Sequence, residues 1–525
     1  MDMIHPISAP RPGETDFPAR VRMALNEYEP VQLGIYANGS DLNDVEVTVS
    51  PLKNTNGVEM VAAFVRVAEY SLVRSQLEEL EVQPFPQRLW PAFNFDVAAG
   101  RSQMIWLVLE TADSVSEAGI YKANISIKAK GLEEVIVPLE VEVLPVRLLT
   151  MDEAGLTLAG CTIGLLPEHE LEFLQQYNHN SVNLWYFSAQ PKLYKQGNGF
   201  GIDWRLMDDW MAIAKRAGHD YIVWFLGENP YGFPQTMSLE RSLAKAVFGV
   251  DDEGYRGMQM EKPDSVLPEI APLYVEWCRR LKEHVETNNW PTLNLTPFDE
   301  PAKWVQNREP LGDLGFIKPH FIHSTELIKE GFPDAIISGD IHHFKGGMDF
   351  LPHMDVFCTN AVHENWDMPN LVRSAGKTLW EYSGTGDKGE PARARYTFGF
   401  YFAAHDSRGS LVWAYNWGER FNTLEGSNWL YAWNTPFDVI PHPYMEGLRE
   451  AWDERRLIET IRKTGHNKDV DVTGFLQNIF DEVAENRGQG GSSTVTDFWQ
   501  RAKDDARMDT WHRTLQDKLL ELHAM

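Results

Sequence analysis

Cysteine is scarce in this sequence, and the few cysteines present form no pattern. Three occur in 525 residues, Cys161, Cys278 and Cys358, and they lie far apart in the chain. No two of them form a Cys-x-x-Cys pair. The spacing therefore excludes a disulfide framework and a structural zinc site of the usual kind.

Long apolar runs are also missing. No stretch of about 18 apolar residues occurs, so no segment is predicted to span a membrane. The opening MDMIHPISAPRPGETDFPAR has no apolar run behind a basic segment, so it does not resemble a secretory signal. We expect a cytoplasmic protein with no membrane partner. A signal removed ahead of this sequence would instead make it a secreted one.

Positive charge is in short supply. The sequence has 48 Lys and Arg against 76 Asp and Glu, which gives a net charge of −28. A surface this acidic repels phosphate backbones, so nucleic acid is excluded as a partner. Glycine-rich phosphate loops and the Gly-x-Ser-x-Gly nucleophile motif are absent as well. We therefore expect no nucleotide or other cofactor.

Aromatic residues, in contrast, are abundant. They make up 12% of the chain and include 18 tryptophans. Indole rings stack well on sugars, although a large core uses tryptophan too. Apolar residues at 43% and charged residues at 24% are typical of a soluble globular protein. The length predicts two or three domains.

Residues 1–147 carry the pattern of an all-β domain. Val135, Val137, Leu139, Val141 and Val143 alternate with other residues, Glu140 and Glu142 among them. A period of two predicts half-buried strands, and Asn-Gly and Lys-Gly turns separate such segments. The prediction for 1–147 is an N-terminal antiparallel β-sandwich.

Residues 148–464 have a different pattern, in which short apolar runs alternate with helical segments. Strand–helix alternation with eight runs predicts a (β/α)8 TIM barrel. The eight runs are Gly155–Cys161, Ser181–Phe187, Tyr221–Gly227, Thr292–Phe298, Ala335–Gly339, Asp355–Ala361, Lys377–Ser383 and Gly409–Trp417. A Gly- and Pro-rich insertion, 228–268, is predicted as an active-site loop, and a helix over 448–461 is expected to close the barrel. Residues 465–525 are predicted to form a short helical C-terminal extension, with no chemistry assigned to them.

In such a barrel the site lies at the carboxyl ends of the strands. Pro297-Phe298-Asp299-Glu300-Pro301 ends the fourth run. Neighbouring carboxylates face one site only where a strand ends, and Pro301 cannot continue a sheet ladder. Two carboxyl groups held close cannot both ionise easily, so one can serve as an acid near neutral pH. Asp299 and Glu300 are therefore the catalytic candidates.

Other strand ends carry aromatic, amide and carboxylate groups. Sugar hydroxyls need polar partners and the C–H face of a pyranose packs on aromatic rings, so these residues predict a carbohydrate site. The predicted substrate-binding residues are Trp185, Trp224, Asn360, Glu381, Tyr382, Trp413, Tyr415 and Trp417. His342-His343, with Asp340, His353 and His363, could suggest a metal. Adjacent histidines on an extended segment point apart, and no metal is expected.

Four segments resemble one known family. Phe298-Asp299-Glu300-Pro301 is similar to the Asp-Glu-Pro signature of glycoside hydrolase family 123 and its wider relatives. AGRSQMIWLVLETADSVSEAGIYKANISI at 99–127 resembles the family's N-terminal sandwich pattern. GSLVWAYNWG at 409–418 resembles its eighth strand, and GLREAWDERRLIETI at 447–461 its closing helix. Together they extend over most of residues 20–463.

The resemblance implies a retaining exo-β-N-acetylhexosaminidase, similar to a β-N-acetylgalactosaminidase, with substrate-assisted catalysis. In that mechanism the acetamido oxygen of the substrate attacks its own anomeric carbon. Asp299 would then orient the acetamido group and stabilise the oxazolinium-like intermediate. Glu300 would protonate the leaving oxygen and afterwards activate water.

Trp380-Glu381-Tyr382 departs from the family pattern, because an aromatic pair is expected at the end of the seventh strand. A glutamate after strand four and another after strand seven is the arrangement of ordinary retaining barrels. Glu300 would then be the acid/base and Glu381 the nucleophile on a non-acetylated sugar. A third interpretation is a non-catalytic carbohydrate-binding protein on a barrel scaffold. The identity of the sugar stays open.

Overall fold

The structure is a computed structural model in which the chain divides into two compact units. One unit comprises Met1–Gly155, Thr385–Ala404 and Gly418–Met525, and the other comprises Leu156–Gly384 and His405–Trp417. The structure describes residues 3–15, 18–59, 62–74, 82–111, 117–228, 237–301, 315–360, 362, 365–384, 390–415, 432–485, 502–503 and 506–525. The predicted segments 1–147, 148–464 and 465–525 stay a prediction.

Among the described residues, the first unit begins with ten strands in two sheets. The strands are β1 (Ala19–Leu25), β2 (Tyr28–Tyr36), β3 (Leu42–Val49), β4 (Lys53–Asn54), β5 (Ala62–Arg74), β6 (Val82–Pro91), β7 (Phe95–Val97), β8 (Ser102–Glu110), β9 (Gly119–Lys128) and β10 (Val135–Arg147). One sheet has the order β1-β10-β9-β3-β7, with β4 also on β9, and the other has the order β2-β8-β5-β6. Residues of both sheets share one apolar core.

Alternation along the strands explains this packing. On β9, Tyr121 and Ile125 are buried, whereas Lys122 and Asn124 between them are exposed. The β9–β10 pair is antiparallel and joins Tyr121 to Val141. The expected antiparallel β-sandwich is supported in part, because the two sheets share one core but β1 pairs with β10 in parallel. The long connection between these two strands permits that orientation, which a short hairpin would not.

The second unit contains a closed barrel of parallel strands, as the sequence predicts. Its strands are β11 (Thr157–Gly160), β12 (Ser181–Trp185), β15 (Tyr221–Phe225), β16 (Thr292–Thr296), β17 (Ile336–Ile341), β18 (Val356–Thr359), β19 (Thr378–Gly384) and β20 (Gly409–Trp413). The ladder runs through these eight in chain order and closes between β20 and β11. A separate hairpin, β13 (Lys192–Gln196) with β14 (Gly199–Asp203), follows β12. Each barrel strand overlaps one predicted apolar run.

Helices follow the barrel strands. They are α1 (Glu168–Gln176), α2 (Arg205–Arg216), α3 (Ser238–Phe248), α4 (Asp252–Met260), α5 (Ala271–Asn288), α6 (Ile317–Gly331), the short α7 (Phe344–Gly347) with the 3-10 helix Met348–His353, and α8 (Met368–Ser374). The helical spacing around Trp277 is confirmed, because Tyr274, Trp277 and Leu281 are buried on one face of α5. The insertion at 228–268 is not simply a loop, since α3 and α4 lie within it.

The later part of the first unit is mainly helical. It contains α9 (Pro391–Ala394), a π-helical turn (Arg395–Tyr401), α10 (Phe402–Ala404), strands β21 (Ala432–Asn434) and β22 (Val439–Pro441), and helices α11 (Pro443–Asn467), α12 (Thr473–Glu485) and α13 (Arg507–Ala524). The helix expected to close the barrel is α11, and it belongs to this unit instead. The barrel closes through its own strand ladder. Across the described residues, every helix is too short or too polar to cross a membrane.

Candidate active site

The fourth barrel strand, β16, positions the Asp299-Glu300 pair. Thr296, at the end of β16, bonds through its hydroxyl to Ser338 of β17 at 2.6 Å. Phe298 is buried and packs edge-on against Phe321 of α6, with ring centroids 5.2 Å apart. This contact anchors the chain just ahead of the two carboxylates.

Glu300 has an unusual backbone. Its φ is +44°, in the left-handed region that residues with a side chain seldom adopt. Such a conformation costs about 1–2 kcal/mol in a residue other than glycine. Strained positions of this kind cluster at functional sites, where the surrounding structure maintains them.

Side chains from three neighbouring strands surround the Glu300 carboxylate. The Tyr382 hydroxyl of β19 donates to Glu300 Oε1 at 3.0 Å. His342, just after β17, brings Nδ1 to 3.2 Å from the Tyr382 oxygen and 3.8 Å from Glu300 Oε1. Asn360, just after β18, contacts the same His342 nitrogen at 2.9 Å. The carboxyl ends of β16, β17, β18 and β19 therefore meet around one carboxylate.

A third carboxyl group, Asp340 of β17, belongs to this cluster. It is buried and hydrogen-bonds the side chains of Asp299 and Cys358. Burial raises the pKa of Asp340 to about 7, and the charge of Glu300 adds to the rise, whereas the two hydrogen bonds oppose it. We call Asp299, Glu300 and Asp340 the carboxylate cluster.

The Tyr382 hydroxyl stays protonated beside these acids. Burial, followed by the charges of Glu300, Asp340 and Asp299, raises the pKa of Tyr382 well above its usual value. Tyr382 is therefore a neutral hydrogen-bond donor at any physiological pH. The sequence analysis singled out Tyr382 and Asn360 for this edge, whereas it considered His342 only as a metal ligand and set that interpretation aside. The position of His342 just after β17 was the signal that could have placed it here.

Two tryptophans of the predicted set face the barrel interior. Trp185 ends β12 and stacks on Phe225, with ring centroids 4.4 Å apart. Trp413 ends β20 and is partly buried against the same inner core. Tyr382 packs there as well, so aromatic rings from three strands line the space at the carboxyl ends.

The Glu381 side chain does not line this space, which corrects the prediction that it contacts the substrate. Its neighbours Trp380 and Tyr382 both point into the barrel, so Glu381 lies on the outer face of β19. The side chain is 2% exposed, and both carboxylate oxygens lie 3.0 Å from His405 Nδ1. Glu381 is thus bound to a buried histidine outside the barrel interior.

The remaining aromatic residues of the predicted substrate-binding set are Trp224, Tyr415 and Trp417. Trp224 points outward from β15 and packs edge-on against Trp277 of α5 at 5.9 Å, so it is a core residue. Tyr415 is fully buried, which leaves its ring no face for a ligand. Trp417 lies outside the described residues, as does His363.

One group of side chains has the spacing of metal ligands among the residues that the structure describes. It consists of Glu27, Glu29 and His512, in the first unit. His512 Nδ1 lies 3.0 Å from Glu454 and Nε2 lies 3.4 Å from Glu29. Although burial disfavours a charged imidazole, Glu454 outweighs it and raises the pKa of His512. Both ring nitrogens of His512 therefore lie close to carboxylates, Glu454 on one side and Glu29 on the other.

Comparison with solved structures shows a likeness in fold over nearly the whole chain. A family 123 glycoside hydrolase from Clostridium perfringens, studied for glycolipid glycan hydrolysis, superposes with a TM-score of 0.67. The match covers 95% of this chain and 95% of that one, at 13% identity. The resemblance predicted from the sequence motifs is therefore confirmed at the level of the fold. No protein-family model matches the chain, and no curated protein does.

Two other structures match less well. A GH5 xyloglucanase from Bacteroides ovatus has a TM-score of 0.35 at 9% identity and covers 83% of this chain and 98% of that one. A family 39 glycoside hydrolase from Bacteroides cellulosilyticus has a TM-score of 0.36 at 13% identity and covers 79% of this chain and 81% of that one.

Proposed function

We propose that this chain is a glycosidase, specifically a retaining exo-β-N-acetylhexosaminidase that uses substrate-assisted catalysis. The observation that carries the proposal is the adjacent pair Asp299 and Glu300 at the carboxyl end of β16, in a closed barrel of parallel strands. In barrel enzymes this edge is where catalytic groups lie. The likeness in fold to a family 123 glycoside hydrolase supports the same assignment.

Glu300 is the proposed general acid, and afterwards the general base. The Tyr382 hydroxyl holds one of its oxygens at 3.0 Å, which fixes the direction in which the other oxygen can deliver a proton. A glycosidic oxygen placed at that second oxygen would be protonated as the bond to the anomeric carbon breaks. The same carboxylate would then take a proton from the attacking water.

Asp299 is the proposed partner of the substrate's acetamido group. When the acetamido oxygen attacks the anomeric carbon, positive charge develops on the oxazolinium ring. A carboxylate beside the ring nitrogen accepts its N–H and offsets that charge. The substrate supplies the nucleophile itself, so one aspartate next to one glutamate is a sufficient set.

Sugar recognition is proposed for Trp185, Trp413 and Asn360. The two indoles line the inner wall of the barrel, and a pyranose can pack its C–H face on such rings. Asn360 carries an amide that can pair with hydroxyl groups. A carbohydrate is therefore the proposed substrate class.

The competing mechanism needs Glu381 as nucleophile. Glu381 lies on the outer face of β19, with both oxygens against His405, so it cannot attack a sugar held among the inner rings. This geometry favours the substrate-assisted mechanism. A merely sugar-binding protein is disfavoured by the intact Asp299-Glu300 pair and by the strained Glu300 backbone, since binding alone requires neither.

The test is a panel of nitrophenyl glycosides of GalNAc, GlcNAc, galactose and glucose in both anomeric forms. We expect cleavage of a β-N-acetylhexosaminide and strong inhibition by the matching thiazoline, a mimic of the oxazolinium intermediate. Asp299→Asn should be severely impaired, because a neutral amide cannot offset the developing charge. Cleavage of the galactoside or glucoside at an equal rate would refute the substrate-assisted mechanism. Sugar binding without turnover would refute the proposal that this chain is an enzyme.

A further inference from the structure

Three side chains of the first unit meet with the spacing of metal ligands. Glu27 comes just before β2, Glu29 lies on β2 and His512 lies on α13. One carboxylate oxygen of each glutamate and one ring nitrogen of His512 all lie within 4.8 Å of one another. Glu27 and Glu29 are two residues apart on an extended segment, so their side chains point to the same side. Acidic groups also cluster without an ion, so the bonding of the donor atoms decides.

Two of these donor atoms are buried and lack the bonds that such atoms normally form. Glu27 is 1% exposed, and its Oε2 accepts a hydrogen bond from the Ala24 backbone N–H. Its Oε1 is buried and has no hydrogen-bond partner among the described residues. His512 Nε2 forms no hydrogen bond with them either, although it lies 3.4 Å from Glu29 Oε1. Buried polar atoms without partners are rare in folded proteins, so these two atoms indicate a ligand that both can bind.

The other nitrogen of His512 is bonded as in most metal-binding histidines. His512 Nδ1 lies 3.0 Å from Glu454 of α11, so its N–H donates to this carboxylate. The guanidinium of Arg395 holds Glu454 in turn, at 2.6 Å. A carboxylate on one ring nitrogen fixes the orientation of the ring and leaves the lone pair of the other nitrogen for a metal ion. Metal binding displaces any proton from that nitrogen.

The charges around the three side chains favour a cation. The strongest charges that act on Glu27 and Glu29 from other residues are those of Glu450, Asp453, Glu454, Arg395 and His512. Carboxylates therefore outnumber cationic groups, even before the two glutamates themselves are counted. A buried surplus of negative charge is costly unless a cation balances it.

The donor set and its dimensions suit zinc. Imidazole nitrogen and carboxylate oxygen bind zinc at about 2.0–2.2 Å, so two ligands of one tetrahedral ion are roughly 3.3–3.6 Å apart. The 3.4 Å between His512 Nε2 and Glu29 Oε1 lies in this range. Magnesium and calcium prefer oxygen ligands, whereas imidazole suits zinc. The Glu29 side chain is 14% exposed, which gives an ion access from solvent.

We propose that Glu27, Glu29 and His512 bind one zinc ion, with water as the fourth ligand. The ion links the start of β2 to α13 and so stabilises the first unit. This inference goes beyond the proposed function and uses none of the residues assigned to it. The sequence analysis expected no metal and considered only histidines of the barrel segment. Ligands this far apart in the sequence form no motif.

The first experiment titrates zinc into the full chain after treatment with a chelator, and follows the heat of binding and Tm. We expect one zinc ion per chain and much weaker binding of magnesium. Free zinc at about 100 times its Kd should raise Tm by about 4–10 °C. A wild type that binds no zinc, binds magnesium as tightly or keeps its Tm would overturn the proposal. No sugar needs to be cleaved, so the result is independent of the proposed function.

The second experiment repeats the titration on variants. His512→Asn keeps an N–H donor for Glu454 and removes Nε2, whereas Glu27→Gln keeps the shape and removes the charge. Each should weaken zinc binding by about 100-fold or more, and Glu454→Gln by about 10- to 100-fold through the histidine. The matched control His284→Asn also loses a histidine–carboxylate pair, with Asp208 at 2.7 Å, and should bind zinc like the wild type. Equal affinity in His512→Asn and the wild type would overturn the proposal.

X-ray absorption at the zinc edge keeps the test decisive if a variant fails to fold. The zinc-loaded wild type should show a single imidazole, with oxygen ligands at about 2.0–2.2 Å. A sulfur ligand at about 2.3 Å would place the ion on a cysteine and overturn the proposal. A second imidazole would overturn it as well, because the proposed site contains one histidine.

Discussion

Replacing Glu381 by glutamine should weaken the second unit without stopping catalysis. Glutamine keeps the shape, and one carbonyl oxygen can still accept from His405, which now lies 3.0 Å from two carboxylate oxygens. Glu381 and His405 are 2% and 3% exposed, so the lost charge-assisted hydrogen bond is a buried one. Its loss should lower the free energy of unfolding by about 1–3 kcal/mol. In a unit of this size that corresponds to a fall in Tm of about 2–12 °C.

The assay pairs thermal unfolding with kcat on the best substrate of the panel. Glu381→Gln should lower Tm and keep kcat within about threefold, because the side chain does not reach the barrel interior. The matched control, Glu300→Gln, makes the same chemical change and should do the reverse. A loss of about a thousandfold in kcat for Glu381→Gln at an unchanged Tm would refute this reasoning. A covalent 2-fluoro glycosyl adduct on the Glu381 peptide would refute it directly.

Four other outcomes are expected. Glu300→Gln should lose about 10²–10⁴-fold in kcat on substrates with poor leaving groups and much less on dinitrophenyl glycosides, and equal losses on both would contradict its role as acid. Tyr382→Phe should lose about 3- to 100-fold in kcat at constant Tm, measured beside the wild type on one slow substrate. Burial lowers the pKa of His179 from its usual 6.5 to about 3, so protons bind preferentially to the unfolded chain below pH 6.5. The free energy of unfolding should then fall by up to about 1.4 kcal/mol per pH unit as the pH drops from there, and His179→Asn should flatten that slope in urea titrations. Arg395→Gln should cost about 3–5 kcal/mol in the first unit by breaking a buried ion pair, whereas the exposed Arg279→Gln should leave Tm unchanged.

The barrel could be predicted because parallel strands buried on both faces leave continuous apolar runs in the sequence. All eight runs matched strands for this reason. The position of Asp299 and Glu300 followed from the same count, since they come shortly after the fourth strand, which ends at Thr296. These features depend on local sequence, and local sequence was sufficient.

The direction of each side chain could not be read from the same runs. In Thr-Leu-Trp-Glu-Tyr nothing distinguishes the inner from the outer face, and a shift of one residue exchanges the two. Glu381 and Trp224 were therefore assigned to the wrong side of their strands. Both point outward, toward His405 and Trp277 respectively.

Side-chain contacts between segments that are distant in the sequence could not be predicted either. The hydrogen bond between Asp340 and Asp299 joins two strands whose carboxylates are far apart in the sequence. The burial of charged residues on α11 could not be predicted from the sequence for the same reason. Glu450 and Glu454 are buried at 3% and 1% exposure, although a sequence pattern assigns such residues to a solvated face. The partners of Glu454, Arg395 and His512, lie on other segments of the chain.

The position of α13 has a consequence for how the chain is made. Asp517 of this last helix pairs with Arg22 of β1 at 2.6 Å, and Asp509 pairs with Arg395 at 2.7 Å. A ribosome synthesises β1 before the barrel strands and α13 after them. Domains usually fold in order of synthesis. Here the barrel can form while the chain is still being extended, whereas the unit that contains β1 cannot form its ion pairs with α13 until α13 has been synthesised.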